Sequence, residues 1–415
     1  MTFRKSLIRV SSESLSRISG LLVVLAFSRI YGVENFGIFS ICNVIAMGVV
    51  IISDFGAGLY LISNLGGDEK KVNRQFHYII PYRFIFNLIL GWGSWLFFYF
   101  SGYNDEWLFI LAFMLIWQIA LGWVEFIGYA FLASGKVFQD FFIKLIAKVT
   151  ISIILIYLIW NGLQFVSALQ FAAAGTLIGV LFSFILYYRN FSLSGFFASG
   201  EDKKELWIKC SPLFVCAFAS FACSRNDFLI LQWAGITEVE LGLFASVARL
   251  QDMMLLFVIF FMEAFSVKMS KHFHEKDAEL QKKWTFLILS FGVAGVFFAT
   301  LLTIDPYWLL EKLFGQGFSD GGWILAIWAW RIPLVFMRLT AQYGTATLHA
   351  QKESAQLTLA AMAFSVVCNI VVVKMYGVLG VVIVGFGVEV LILTATIFVV
   401  RKKLKDNSIE MARLQ

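Results

Sequence analysis

Charge is scarce in this chain. Charged residues make up 14% of its 415 residues, whereas 60% are hydrophobic and only four are proline. A soluble domain carries about 25% charged residues. The low charge therefore excludes a large soluble domain, and any function must be carried out in a membrane.

The chemistry of common enzymes and redox proteins is missing as well. The five cysteines contain no Cys-x-x-Cys pair and fall in or at apolar segments, where they act as small hydrophobic residues. The sequence has no Gly-x-x-x-x-Gly-Lys-Ser/Thr phosphate loop and no Asp-x-Asp motif. His272 and His274 lie in the polar stretch between spans 8 and 9 and would need further ligands to hold a metal, so we expect them to be solvated loop residues. We therefore expect no enzymatic activity, no metal and no cofactor.

Twelve apolar segments fill the chain, and each is long enough to cross a bilayer, which takes about 20 residues. Backbone groups cannot stay unpaired in lipid, so we predict that every segment is a helix and that the chain is an all-α polytopic membrane protein. The predicted spans are 14–31, 37–63, 78–100, 107–132, 140–160, 165–188, 207–233, 242–267, 284–304, 322–347, 355–373 and 378–400.

Basic residues are distributed unevenly between the two sides of these spans. If the N-terminus is cytoplasmic, twenty-one Lys and Arg lie in the cytoplasmic segments and only Lys312 and Lys374 lie outside. An excess of Lys and Arg marks the cytoplasmic side of a membrane protein. We therefore predict an even number of spans with both termini in the cytoplasm. The net charge of +6 follows from this topology and does not indicate nucleic-acid binding.

The spans fall into two halves of six. The polar stretch 189–206 separates them, which predicts an N-terminal lobe over 1–195 and a C-terminal lobe over 196–415. Gly-Ile-Phe at 37–39 and Gly-Leu-Phe at 242–244 open the second span of each half, as expected of an internal repeat. Pro81, Pro212 and Pro333 are predicted to kink spans 3, 7 and 10.

Ionisable side chains inside the spans are the strongest functional candidates, because each costs about 2.5–3.5 kcal/mol at a helix centre in lipid. Ten of the sixteen are cationic, which favours an anionic substrate, and the forked guanidinium group of Arg suits phosphate. The cations are Arg17, Arg29, Arg83, Lys144, Lys148, Lys209, Arg225, Arg249, Arg331 and Arg338, and the acids are Asp54, Glu125, Asp227, Asp252, Glu263 and Glu389.

Spacing leaves alternatives open for several cations. Lys144 and Lys148 are four residues apart on one face, so they repel each other unless they face an anion, a wet cavity or the membrane surface. Arg331 and Arg338 share one stripe of span 10. They either line an anion-binding cavity or form internal salt bridges to an acid such as Glu125.

The acids are candidates for gating or ion coupling. Arg249 and Asp252 are three residues apart, which predicts a local ion pair. Arg225 and Asp227 point to different faces and need separate partners. The acids assigned to gating or ion coupling are Asp54, Glu125, Asp227, Asp252 and Glu263, of which the first and the last are alternatively helix-end carboxylates.

Four segments carry a resemblance to a known family. They are SRIYGVENFGIFS (28–40), SDFGAGLYLIS (53–63), RNDFLILQWAGITEVELGLFASVARL (225–250) and ATLHAQKES…CNIVVVKMYGVLGVVIVGFGVEVLI (346–392). With the length, the twelve spans and the midpoint divide, they resemble the O-antigen (Wzx-type) flippases. These belong to the polysaccharide branch of the multidrug/oligosaccharidyl-lipid/polysaccharide (MOP) flippase superfamily. The turn Val33-Glu34-Asn35 departs from the commoner Gly-Pro-Glu turn of that family.

The resemblance implies a MATE-like fold of two six-helix lobes around a central cavity that works by alternating access. It implies that an undecaprenyl-diphosphate-linked oligosaccharide, an O-antigen or similar repeat unit, moves from the cytoplasmic to the periplasmic leaflet of the bacterial inner membrane. An ion gradient would drive turnover, since no ATPase is encoded. The partners implied are this lipid-linked substrate and the bilayer, and further candidates are a polysaccharide polymerase and a chain-length regulator.

The resemblance also implies site residues. Arginines on spans 1 and 8 of related flippases bind the diphosphate, which points to Arg17, Arg29 and Arg249. The alternative function is a cation-coupled small-molecule or drug antiporter of the same fold, for which acid-dominated lobes are expected. The full set predicted to bind the anionic substrate is Arg17, Arg29, Lys148, Arg225, Arg249, Arg331 and Arg338.

Overall fold

Nearly every described residue lies in a helix. A computed structural model describes residues 3–191, 202–274, 280–347 and 351–414. The helices before residue 200 are α1 (Phe3–Asp54), α2 (Ala57–Leu65), α3 (Glu69–Phe100), α4 (Asp105–Ala133), α5 (Val137–Lys144), a π-helix (Leu145–Thr150), α6 (Ile151–Trp160) and α7 (Phe165–Asn190). Those after it are α8 (Asp202–Trp233), α9 (Glu238–His274), α10 (Leu280–Thr303), α11 (Pro306–Phe314), a 3-10 turn (Ser319–Gly321), α12 (Gly322–Trp328), a second 3-10 turn (Ala329–Arg331), α13 (Ile332–Thr347) and α14 (Gln351–Leu414).

Ten helical segments of the described chain are long and apolar enough to cross a membrane. Two of them, Ser11–Asp54 and Glu353–Lys403, contain 44 and 51 residues, about twice the length that one crossing needs. Each of these two holds a pair of the predicted spans. The prediction of an all-helical, polytopic membrane protein with twelve crossings is therefore confirmed.

Both double-length helices fold back at a glycine. Gly32 (φ 79°, ψ 179°) and Gly377 (φ 54°, ψ −134°) adopt backbone conformations that side chains with a Cβ disfavour. The Phe27 and Phe39 rings are only 4.8 Å apart, although twelve residues of straight helix would separate them by about 18 Å. The two glycines therefore supply the short turns between spans 1 and 2 and between spans 11 and 12.

Predicted span 2 is not continuous, in contrast to the interpretation of 37–63 as one helix. Phe55 (φ 47°) and Gly56 (φ 74°) break it after Asp54. A Cβ on Gly56 would lie 2.6 Å from the backbone nitrogen of Phe214 on α8, and the Phe55 ring stacks on that of Phe214 at 4.6 Å. The break thus lets the chain pack closely against the start of α8.

Two other spans are locally irregular. Pro333 has no N–H to donate to the carbonyl of Ala329, and the chain adopts a 3-10 turn over Ala329–Arg331, where a kink in span 10 was predicted. Predicted span 5 contains the π-helix Leu145–Thr150, which the sequence did not predict. Such π-turns are frequent at functional sites, and this one holds Lys148.

The chain divides into two compact units, Met1–Phe218 and Ala219–Gln415. In the first unit α4 packs against α1, α2, α3, α5 and α7, and its core contains the stacked rings of Phe76, Phe126 and Tyr187. In the second unit α13 packs against α9, α10 and α14. Each unit is thus organised around one central helix. The predicted lobe limits, 1–195 and 196–415, stay a prediction, and residues 202–218 of α8 belong to the first unit.

Candidate functional site: ionised side chains inside the spans

Lysines of the first unit are matched by carboxylates. Lys148, in the π-helix, forms an ion pair with Glu125 of α4. Lys144 lies 2.9 Å from the carboxylate of Glu13 and 3.2 Å from that of Asp140. Lys144 and Asp140 are almost completely buried. Burial of these charges is tolerated because each has an opposite charge in hydrogen-bond contact.

Arg17 completes this balanced cluster. Its guanidinium lies 3.9 Å from Glu13, four residues earlier, and its side chain is 43% exposed. Each lysine of the predicted like-charge pair therefore faces an acid of its own. Roles of Lys148 and Arg17 in substrate binding stay predictions. The cluster consists of three acids and three cations, Glu13, Arg17, Glu125, Asp140, Lys144 and Lys148.

Asp54 marks the break after α1. One of its oxygens accepts a hydrogen bond from the backbone N–H of Gly58 at 3.3 Å, and the other is paired with Arg83. Arg83 is buried, donates to the carbonyl of Gly122 at 3.0 Å and lies 4.7 Å from the ring of Phe126. Asp54 is thus a helix-end carboxylate that also pairs with a basic residue, and its role in gating or ion coupling stays a prediction.

Two arginines of the second unit share Asp252. Arg249 lies 3.6 Å from the Asp252 carboxylate, which is the local pair that the spacing predicts, and Arg225 donates to the same carboxylate at 2.7 Å. The Asp252 side chain is 31% exposed, so this pairing is accessible from outside the packed core. A single acid therefore holds guanidinium groups from α8 and α9.

Glu389 is shared in the same way. Arg331 donates to one of its oxygens at 3.0 Å and Arg338 to the other at 2.5 Å. Arg338 also reaches Gln342 at 2.9 Å, and Arg331 lies 4.6 Å from the ring of Trp328. The acid that pairs with this stripe is thus Glu389 on α14, whereas Glu125, offered as a partner from the sequence, pairs with Lys148.

Arg331 is the most constrained of these arginines. Its Nε atom is buried and has no hydrogen-bond partner within the described part of the chain. A Cβ on Gly385 would lie 2.7 Å from its Nη1, so the guanidinium lies directly against the α14 backbone. The arginine is held close to α14 and still has a donor to offer.

A buried amide and hydroxyl cluster lies beside these charges. Asn226 donates to the Ser365 hydroxyl at 3.1 Å and accepts from the Asn369 amide at 2.8 Å, which joins α8 to α14. The Oδ1 of Asn369 has no partner among the described groups. Asp227 follows Asn226 in the chain, and its carboxylate accepts from the N–H of Phe228 at 3.0 Å.

The remaining predicted residues lie apart from these clusters. Arg29 is exposed near the turn at Gly32, and Lys209 pairs with Glu205 on the exposed start of α8 at 2.5 Å. The side chain of Glu263 lies outside the described residues. Within the described ranges, no group of three His, Cys, Asp or Glu side chains could hold a metal ion.

The two units differ in how carboxylates are shared among arginines. The balanced cluster and the pair of Asp54 with Arg83 are neutral. In the second unit, Asp252 and Glu389 each pair with two arginines, and Asp227 interacts electrostatically with Arg225 and Arg331. Each of the two shared carboxylates, taken with its two arginines, therefore forms a group with one positive charge in excess. Excess positive charge inside a membrane-spanning region is costly unless an anion or water reaches it.

Sequence reasoning missed several of these partners. Asp140 and Glu13 each lie four residues before a cation, Lys144 and Arg17, and this helical spacing could have identified them. Ser365 and Asn369 have the same spacing. Nothing in the sequence links Glu389 to Arg331, 58 positions away.

The fold is similar to solved transporter structures, while no family model and no curated protein matches the sequence. The lipid II flippase MurJ in an inward closed conformation matches with a TM-score of 0.69 and 15% identity, over 97% of this chain and 90% of that one. An inward-facing multidrug resistance MATE family transporter matches with a TM-score of 0.65 and 14% identity, over 97% and 98%. A MOP superfamily transporter from Pyrococcus furiosus matches with a TM-score of 0.58 and 14% identity, over 97% and 94%.

These matches extend over almost the whole chain and include both flippases and drug transporters, so they show the fold and do not distinguish substrates. The expectation of a MOP-type, MATE-like helical fold is confirmed. The chain is a polytopic membrane protein with the fold of the MOP superfamily transporters.

Proposed function

We propose that the protein is a flippase for an undecaprenyl-diphosphate-linked oligosaccharide, such as an O-antigen repeat unit, moving it from the cytoplasmic to the periplasmic leaflet of the bacterial inner membrane. The observation that carries this proposal is the sharing of one carboxylate by two guanidinium groups at two places in the second unit. Four arginines share Asp252 and Glu389 in pairs. A diphosphate offers several oxygens to such groups.

The guanidinium geometry supports a phosphate ligand. Each arginine presents five donors in a planar fork, and one carboxylate cannot satisfy two such forks. Asp252 is partly exposed, and the side chains of Arg225 and Arg249 are 17% and 19% exposed, so an entering anion can reach them. An incoming diphosphate would exchange with the shared carboxylate and fill the unused donors.

Exchange of partners also supports ion coupling. A carboxylate that loses its arginines to the substrate is left unpaired in a region of low dielectric constant, where it favours a proton or a metal cation. Asp252 and Asp227 are the carboxylates best placed for this role, the latter beside the buried cluster of Asn226, Ser365 and Asn369. Coupling of turnover to an ion gradient, by alternating access and without bond chemistry on the substrate, is part of the proposal.

The second candidate is a cation-coupled antiporter for drugs or other small molecules. Two observations favour it: the likeness to MATE transporters and the balanced cluster of the first unit. It does not explain why two arginines share each of the carboxylates of Asp252 and Glu389. The two candidates differ in the charge of the cargo, which makes them experimentally separable.

The test is complementation of a deletion strain that makes a surface polysaccharide. Arg249→Ala, Arg331→Ala and Arg338→Ala are expressed in this strain, and membrane levels are checked by immunoblot. A lost charge-assisted hydrogen bond is worth about 1.5–3 kcal/mol, so each variant should transport about ten- to a hundredfold more slowly. Long polysaccharide should disappear from the surface, and the lipid-linked unit should accumulate on the inner leaflet.

Two controls make the result specific. Lys403→Ala removes a half-exposed cation paired with Glu353 at 2.9 Å, and it should transport normally. Arg338→Lys keeps the charge but lacks the planar fork of donors. Its transport rate should therefore lie between those of Arg338→Ala and the wild type. If the deletion strain keeps its surface polysaccharide and instead loses resistance to cationic dyes, the flippase proposal is wrong and the antiporter takes its place.

A further inference from the structure

A basic pocket lies where the end of α2 and the first turns of α3 and α8 meet in the first unit, away from the clusters described above. Its volume is about 490 Å³, within the range of small-molecule sites. Lys71 and Arg74 of α3 and Lys209 of α8 line it together with one acid, Glu205. The lining therefore carries two more positive than negative charges.

The polar groups of the pocket come from three separate parts of the chain. The end of α2 contributes Asn64, the first turns of α3 contribute Lys71, Arg74 and Gln75, and the start of α8 contributes Lys209. All three cations are exposed. Lys71 also lies 3.2 Å from Asp68, a pair so exposed that it adds little to stability. Lys209 likewise pairs with Glu205 at 2.5 Å, and these side chains are 46% and 63% exposed, so an external anion can reach the cations and compete for them.

An aromatic group places this pocket at headgroup level. The Tyr82 ring lies 5.5 Å from that of Trp207, and the Tyr78 hydroxyl donates to that of Tyr82 at 3.0 Å. Tyr78 and Tyr82 lie one to three turns further into α3 than Lys71 and Arg74. Trp207 lies two residues before Lys209 on α8. Tyr and Trp concentrate at the boundary between hydrocarbon and headgroups. The side chain of Ile208 next to them is 60% exposed, as expected on a surface that faces lipid.

We propose that this pocket binds the phosphate group of an anionic ligand at the cytoplasmic membrane surface, most simply an anionic phospholipid such as phosphatidylglycerol. Cationic side chains on the cytoplasmic side attract anionic lipids, and pockets of this kind between helices hold their headgroups. The phosphate would lie between Arg74 and Lys209 and would join α3 to the base of α8. This proposal does not depend on the transported substrate.

Thermal unfolding of the purified full-length protein in a neutral detergent provides the test. Short-chain dihexanoyl phosphatidylglycerol, dihexanoyl phosphatidylcholine, glycerol 3-phosphate and inorganic phosphate are each titrated against the unfolding midpoint. Phosphatidylglycerol should raise the midpoint saturably, and the zwitterionic lipid should not. If glycerol 3-phosphate or inorganic phosphate gives the same saturable effect, the pocket is a phosphate site whose occupant is soluble; if neither does, the occupant is the lipid.

Variants link the effect to the pocket. Arg74→Gln should weaken half-saturation about fivefold and the combined Lys71→Gln, Arg74→Gln, Lys209→Gln variant about a hundredfold, since each surface cation is worth about 1 kcal/mol toward anionic lipid. Lys402→Gln, an exposed cation at the end of the last span, should behave as wild type. Equal midpoint shifts with both lipids, or an unchanged response in the combined variant, would overturn the proposal.

Discussion

At the scale of single residues, Glu389 is the buried carboxylate that pairs with two arginines. Its two oxygens accept from Arg331 and Arg338, and its side chain is only 4% exposed. Removing one member of a buried ion pair leaves the other charge uncompensated, which costs about 3–5 kcal/mol. Exposed pairs are worth about 0–1 kcal/mol.

We therefore expect Glu389→Ala to lower the free energy of unfolding by several kcal/mol. The matched variant is Glu353→Ala on the same helix, which removes the partner of Lys403 from a pair that is 39% exposed on both sides and should change stability by less than about 1 kcal/mol. Urea unfolding in detergent, followed by circular dichroism, compares the two. Equal losses would show that the Glu389 pairs are not the buried network described here.

Gly385 gives a test of function at the same scale. A methyl group there would lie 2.7 Å from the Nη1 of Arg331, so Gly385→Ala should displace the guanidinium and weaken its pair with Glu389, and transport is compared at equal membrane levels. Gly387→Ala is the control, because nothing lies within 4 Å of a Cβ at that position. We expect transport to fall about tenfold or more in the first variant, the effect of one lost charge-assisted hydrogen bond, and to be unchanged in the second. Identical transport by both would argue against a substrate role for Arg331.

At the scale of the elements, α10 and α13 approach each other closely. A Cβ on Gly295 would lie 2.5 Å from the Cα of Pro333, a backbone atom that cannot rotate away. Small residues at helix contacts in membranes allow this approach. The same contact fixes the position of the 3-10 turn that holds Arg331.

Gly295→Ala should therefore separate the two helices and destabilise the second unit by about 1–3 kcal/mol, the usual cost of overpacking. Gly292→Ala, one turn earlier on α10, meets only the flexible side chain of Met337 at 3.0 Å and should cost clearly less. Unfolding midpoints of the two purified variants, each compared with the wild type, measure this difference in stability. A larger loss for Gly292→Ala would contradict the helix contact.

The helices and their breaks also show which parts of the fold could be predicted from the sequence. All twelve spans were predictable because apolar length alone sets a crossing, and Gly32 and Gly377 lie at turns whose short loops the spacing already indicated. The break at Phe55 was not predictable, since it is stabilised by Phe214 and Trp207 from a distant part of the chain. Side-chain partners were likewise predictable only where both residues lie close together in the sequence. The pair of Arg249 with Asp252 was visible as helical spacing, whereas partners from other helices were not.

At the scale of the whole molecule, the asymmetry of basic residues predicts the orientation in the membrane. The turns at Gly32 and Gly377 should lie outside the cytoplasm, and the segment before α3 and the end of α14 inside it. Single cysteines test this in a chain whose five native cysteines, all free and none exposed, are replaced. A membrane-impermeant maleimide added to intact spheroplasts should label Glu34→Cys and Met375→Cys, and should label Lys70→Cys and Lys402→Cys only after lysis. The reverse pattern would invert the proposed direction of transport.

Helix α8 belongs to both compact units, because its residues up to Phe218 pack with the first and the rest with the second. Trp207 and Phe214 cover the Phe55 ring, and Gly56 lies against the backbone of Phe214. A polypeptide that ends at residue 195 would lack these groups and expose the broken helix beside Asp54. The two parts of a chain split at that residue would then have to be made together, with the second fragment completing the core of the first, so we expect such a split to need fragment complementation.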